Sequence, residues 1–315
     1  MNNLKKVGLT ALAGALVSVS ASAADLSVTG GASIGFAGEE QQLTGNGWSM
    51  NDGITFAASE EMDNGWNVSL NFLLDSSDAT AGAGLDNRSL TIDMGDSGTF
   101  VFSGDGGDGV LSAMDDKTPT AYEESWDLVT GADTNVPGGP SSNNMMHYSN
   151  SSLMDDLTVS VAYIPSDLAA QVESSADYGV TYTGIEGLTI GAGAGENNAA
   201  AATVDITNVY ATYAIDAFTI GAQASEGDSE TANADVDFSA YGVSYAVSED
   251  LSVSLNMSTI DFENTTLSDQ DATGLSLSYT MGSMTLSAAH NTVDNIGGTN
   301  DADRSGYDLS LAFAF

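Results

Sequence analysis

Sixteen short segments of this chain alternate apolar and polar residues one by one, and little else in the sequence is periodic. Trp66, Val68, Leu70, Phe72 and Leu74 share one parity, while Asn67, Ser69 and Asn71 hold the other. A period of two is that of an extended strand, whose side chains point to opposite faces in turn. Each such strand therefore has one apolar face and one polar face. The last segment, Ser305 to Phe315, sets Tyr307, Leu309, Leu311, Phe313 and Phe315 against Asp308, Ser310, Ala312 and Ala314. Chain ends usually fray in water. In lipid no backbone N–H or C=O finds a solvent partner, so a strand there pairs to its end.

The connections between segments carry the second signal. Seven are short, such as Met62-Asp63-Asn64-Gly65, Gly95-Asp96-Ser97-Gly98 and Asp216-Ala217, and eight are generally longer. Tight turns at one rim and long loops at the other describe an antiparallel barrel that crosses a membrane. A soluble sandwich offers no reason for that asymmetry. A calcium-bound β-helix would repeat a nonapeptide that does not recur here. The sequence thus predicts an all-β fold, a transmembrane antiparallel β-barrel of 16 strands. The longest stretch without periodicity, Gly104 to Ser142, follows the fifth strand.

Met1 to Ala23 reads as a secretory signal. Lys5 and Lys6 precede an apolar run from Val7 to Val19, and Ala21-Ser22-Ala23 has the small-x-small form of a cleavage site. The run is shorter than the ~20 residues a spanning helix needs. The barrel then occupies residues 24–315. Removing the signal leaves Arg88, Lys117 and Arg304 as the only basic residues against 44 acids. Such a balance repels phosphates and excludes nucleic acid as a partner. It suits cations or a cationic surface, and it is equally the composition of a salt-adapted protein. The chain has no cysteine, which excludes disulfides, thiol nucleophiles and thiolate zinc sites.

Several stretches, taken in order, resemble one family. Leu26-Ser27-Val28-Thr29-Gly30-Gly31-Ala32 opens the pattern. Asn87-Arg88-Ser89-Leu90-Thr91-Ile92-Asp93-Met94, a turn at Gly95 to Gly98, and Thr99 to Gly104 continue it. Asn144-Met145-Met146-His147-Tyr148-Ser149 and Leu157 to Tyr163 follow. Together they resemble the general porins of Gram-negative bacteria, with the closest look that of α-proteobacterial porins. The terminal Tyr307, Leu309, Leu311, Phe313 and Phe315 resemble the assembly signal read by the barrel-assembly machinery. The resemblance implies a third loop, 104–142, folded into the lumen as a constriction. It implies a homotrimer in outer-membrane lipid, in which Asp75 to Asp86 latches to a neighbour. It implies passive diffusion of small hydrophilic solutes and ions, no enzymatic activity and no required cofactor.

The residues of that loop set the expected selectivity. Asp105, Asp108, Asp115, Asp116, Glu123, Glu124 and Asp127 face a single base, Lys117. Crowded carboxylates favour cations in a pore and raise one another's pKa. Porins oppose such acids with several arginines on the lumen wall. Here only Arg88 and Arg304 remain for that role, and Arg88 shares parity with apolar Leu90 and Ile92. The transverse field should be weak or absent. Asp105 and Asp108, set among glycines, offer oxygen ligands for Ca²⁺, though at the spacing of no known calcium loop; a plain turn-rich loop explains them as well. His147 and His290 are matched with no Ser or Asp at a catalytic spacing, so a hydrolase is disfavoured. Trp48, Trp66, Trp126 and the tyrosines fit interfacial girdles, the alternative being an aromatic track for sugars. Two rival functions stay open: a substrate-selective channel, for sugars for instance, and a non-conducting surface or adhesive protein anchored by its barrel.

Overall fold

A computed structural model describes residues 25–40, 47–75, 87–166, 173–198 and 202–315. The expected signal segment and most of the expected latch, residues 76–86, lie outside the described residues. Sixteen antiparallel strands close into one barrel. The first five are β1 (Asp25–Glu39), β2 (Trp48–Glu61), β3 (Asn67–Asp75), β4 (Asn87–Asp93) and β5 (Thr99–Asp105). Two short pieces, β6 (Gly107–Asp108) and β7 (Ser141–Ser142), pair with each other at the root of a long loop and are not part of the wall. The wall resumes with β8 (Met145–Met154), β9 (Leu157–Ile164), β10 (Ser175–Ile185), β11 (Leu188–Asn197), β12 (Val204–Ile215) and β13 (Phe218–Ser229). It ends with β14 (Val236–Ala246), β15 (Leu251–Phe262), β16 (Gln270–Met281), β17 (Met284–Asp294) and β18 (Arg304–Ala314).

The barrel is polar inside and apolar outside, the reverse of a soluble core. On β16, Leu275 is 60% exposed, while its neighbours Gly274 and Ser276 are buried. The exposed set includes Ile34, Val209, Ile220, Met257 and Leu309, all on the outer parity of their strands. An apolar outer band with a polar interior is what lipid on one side and water on the other select. The tight turns take residues that tolerate positive φ, such as Gly187 at 76° and Asp216 at 51°.

Closure is made by β1 and β18, paired from Gly31↔Ala314 to Glu39↔Gly306. Phe315 extends the seam: its N–H donates to Gly30 O at 2.8 Å, and Gly30 N–H donates to Phe315 O at 2.7 Å. Pairing thus runs to the last residue.

Several strands outrun their sequence pattern on the long-loop side. β2 begins at Trp48, where alternation alone starts it at Ile54, because Asp52 and Gly53 interrupt the pattern without breaking the ladder to β1. On the short-turn side, β8 continues to Met154 through Ser151-Ser152, where a turn was expected, with a register shift between Asn150 and Met154. Backbone pairing, not side-chain polarity, sets where a strand stops.

Two of the three tryptophans lie on the outer face near the rims. Trp48 packs on Phe36 at 4.9 Å, and Phe36 lies 5.9 Å from Tyr307. Trp66 is at a short turn, on the rim where Phe218 and Tyr245 stack at 4.5 Å. Trp126 departs from the girdle expectation. It is 3% exposed inside the barrel, edge-on to Phe238 at 5.0 Å. A lone aromatic in a polar loop carries no parity that would reveal this.

Candidate functional site: the lumen and its loop

The segment between β6 and β7 lies inside the barrel and follows the wall. It starts against β8–β12, where Val110 and Met114 bury with Met145, Ala162, Ile164 and Tyr210. It then passes β13 to β18 and returns. Its middle packs Trp126, Val129 and Ala132 on Phe238, Ala240, Ile260, Ala272 and Val293 of the wall. This is the largest apolar cluster among the described residues, and it lies in the lumen. Glycines mark where the loop backbone lies flat. A Cβ on Gly274 would stand 2.8 Å from Ser125 Cα, and one on Gly242 2.8 Å from Pro119 O.

Polar wall residues hold the loop's backbone. Gln223 accepts from Lys117 N at 2.9 Å and donates to Asp115 O. Ser254 Oγ accepts from Ala121 N at 2.9 Å, and Ser276 Oγ accepts from Tyr122 N at 3.1 Å. Asn291 donates to Glu124 O, and Gln270 donates to Ala132 O at 2.7 Å. Asp177 accepts from Leu111 N at 2.9 Å. A buried backbone group without a partner costs about 1–3 kcal/mol, so these side chains are what permits an irregular loop inside a barrel. On sequence alone, lumen-facing Asn, Gln, Ser and Thr read as pore-solvating residues. Nothing in a period of two distinguishes a residue that meets water from one that meets a loop.

Five of the expected acids crowd onto one stretch. Burial, then Asp116, pushes the Asp115 carboxyl up to about 7. Burial, then Asp127, raises Asp116 and lifts Glu123 to about 6. Burial, then a hydrogen bond with Asp127, raises Glu124. Carboxylate oxygens of Glu123, Glu124 and Asp127 lie within 4.8 Å of one another. Tyr122 donates to Asp308 of β18 at 2.9 Å. The other two acids stand apart. Asp105 ends β5 in an ion pair with Arg88 at 2.9 Å, and Asp108 is exposed in β6. Among the described residues, the carboxylates whose oxygens lie within 4.8 Å of one another are those of Glu123, Glu124 and Asp127, not the Asp105 and Asp108 of the calcium expectation.

Neither arginine stands opposite the acids. Arg88 is in register with Phe72, and two residues on Leu90 is in register with Leu70. That parity belongs to the outer face, so Arg88 is not a lumen-wall base. Arg304 shares the inward parity of Gly306 and Asp308, but Glu39 compensates its charge through an ion pair. The wall not followed by the loop carries mostly small neutral side chains near its middle, together with Asp52 and Asp75. A cavity of about 430 Å³ lies there against β1–β3, lined among others by Thr29, Ser33, Asn51 and Thr55. These residues alternate with outward-facing Val28, Ile34, Met50 and Ile54.

The sequence matches the family described as Gram-negative porin over residues 8–268. The chain belongs to the Gram-negative porin family. Solved porins share its fold. The anion-selective porin from Comamonas acidovorans superposes with a TM-score of 0.71 at 13% identity, covering 93% of this chain and 100% of that one. A Rhodopseudomonas blastica porin mutant gives 0.67 at 14% identity, with 92% and 100% covered. A comparison with curated protein sequences finds no match. As a porin the chain forms an outer-membrane β-barrel channel and is not an enzyme.

Proposed function

We propose that this porin is a cation-preferring diffusion channel for small hydrophilic solutes and ions, narrowed by residues 104–142. The observation that carries this reading is the gathering of Asp115, Asp116, Glu123, Glu124 and Asp127 on a lumen loop whose only base is Lys117. A ring segment of carboxylates raises the local cation concentration and lowers that of anions. The facing wall adds Thr, Ser and Asn, which hydrogen-bond solutes of either sign, together with Asp75, which has the same sign as the loop acids. No arginine opposes the acids, so selectivity comes from charge of one sign, not from a field across the pore. We further propose export through residues 1–23 and assembly guided by the β18 face of Tyr307, Leu309, Leu311, Phe313 and Phe315. We also propose a homotrimer in outer-membrane lipid.

Single-channel current across a planar bilayer with a salt gradient tests the central reading. The expected result is stepwise conductance with a cation-selective reversal potential. Neutralising the loop with Asp115→Asn and Asp116→Asn should move that potential toward zero. A folded, heat-modifiable barrel that carries no current would overturn it in favour of a barrel-anchored surface protein.

A further inference from the structure

The tip of the lumen loop meets the wall at the seam where the barrel closes. The β1–β18 pairing ends on the long-loop side at Glu39↔Gly306. There Glu39 of β1 and Arg304 of β18 form an ion pair at 2.5 Å, their side chains 10% and 24% exposed. Each group has a second partner, and it is the same loop residue. Glu39 Oε2 accepts from the Thr130 hydroxyl at 2.8 Å. Arg304 Nη2 donates to the Thr130 carbonyl oxygen at 2.9 Å. Next to them Gly306 carries no side chain, and a Cβ there would collide with Leu128 O. The loop backbone therefore lies directly on β18 at this point.

We infer that Arg304 and Glu39 are positioning residues, a clasp that fixes the loop tip to the closure seam and so sets the aperture between loop and wall. The inference rests on the channel reading above. Neutral side chains hold most of the loop's middle, whereas both halves of the clasp are ionised, and hydrogen bonds to ionised groups are roughly twice as strong. One half comes from the first strand and the other from the last. The complete clasp therefore exists only in the closed barrel. Removing one partner leaves a half-buried charge uncompensated, so a single variant should disturb the tip more than the loss of one contact implies.

The test measures open-channel conductance and current flicker, together with amide hydrogen exchange of Leu128 to Ala132. Arg304→Ala and Glu39→Gln, as folded barrels, should raise conductance, flicker and exchange. Arg304→Lys, which can still donate both to Glu39 and to the Thr130 carbonyl, should bring all three back toward the parent values. Thr130→Val removes the hydroxyl's bond to Glu39 and leaves the seam pair in place, so it should give a smaller change in the same direction. Folded single variants with parent conductance, flicker and exchange would overturn the clasp. Should Arg304→Ala not fold, Thr130→Val decides: parent values there overturn the inference. A parent protein that does not conduct removes the channel reading, and exchange at the tip then judges the clasp alone.

Discussion

Asp115 illustrates how a residue's neighbours change what its charge does. Burial and Asp116 raise its pKa from 3.8 to about 7, and burial and Asp127 raise Glu123 to about 6. Both are ionised at pH 8, and both become protonated before pH 5. Cation selectivity should therefore fall between pH 8 and pH 5, above the range near pH 4 where ordinary carboxylates titrate. Reversal potentials at pH 8, 6.5 and 5 check this, and Asp115→Asn should flatten the upper part of the curve. The sign for stability is opposite to that of a salt-bridged acid. Between about pH 4 and pH 7 the folded state holds a proton on Asp115 that the unfolded chain has released. Its contribution thus falls as pH rises through that window. The crowding of these acids was legible in the sequence, because they are close along the chain. The outward position of Arg88 was hinted at by its parity with Leu90. The pairing of Arg304 with Glu39 was not, because the partners come from opposite ends of the chain and meet only at the seam.

At the scale of elements, the loop behaves as a small core enclosed by the barrel. Phe238 of β14 anchors it through the edge-on contact with Trp126. Phe238→Ala should cost about 3–5 kcal/mol, the usual range for removing a buried aromatic. It should show as a lower thermal midpoint and a noisier open channel, with the barrel itself intact. β18 is the second decisive element. Deleting Phe315 removes both backbone bonds to Gly30, which close the last step of the seam. The expected result is a reduced yield of heat-modifiable barrel on refolding, read by gel mobility with and without heating. Strands were readable because one face meets lipid and the other does not, so a period of two is imposed on every one of them. The strand ends of β2 and β8 were not, because beyond the apolar band pairing continues with no demand on polarity.

At the scale of the whole molecule, charge of one sign governs behaviour over distance. With 44 acids and few bases, the lumen and rims carry a negative potential that salt screens. The Debye length is ~30 Å at 0.01 M and ~3 Å at 1 M. The cation preference should accordingly be strong in dilute salt and weaken steadily toward molar salt. A reversal potential that did not change with ionic strength would place the selectivity in close contacts at the narrow point instead.

The sequence by itself determined the barrel, its strand number and its inverted polarity, because lipid and water act on every second residue and leave a periodic record. It also determined that the lumen loop is acidic, since composition survives folding unchanged. Tertiary structure alone decided which polar wall residues hold the loop and which meet the lumen. It alone placed Trp126 in a core instead of a girdle and brought Glu39, Thr130 and Arg304 together. Those choices depend on contacts between segments far apart in the chain, for which a local pattern holds no trace.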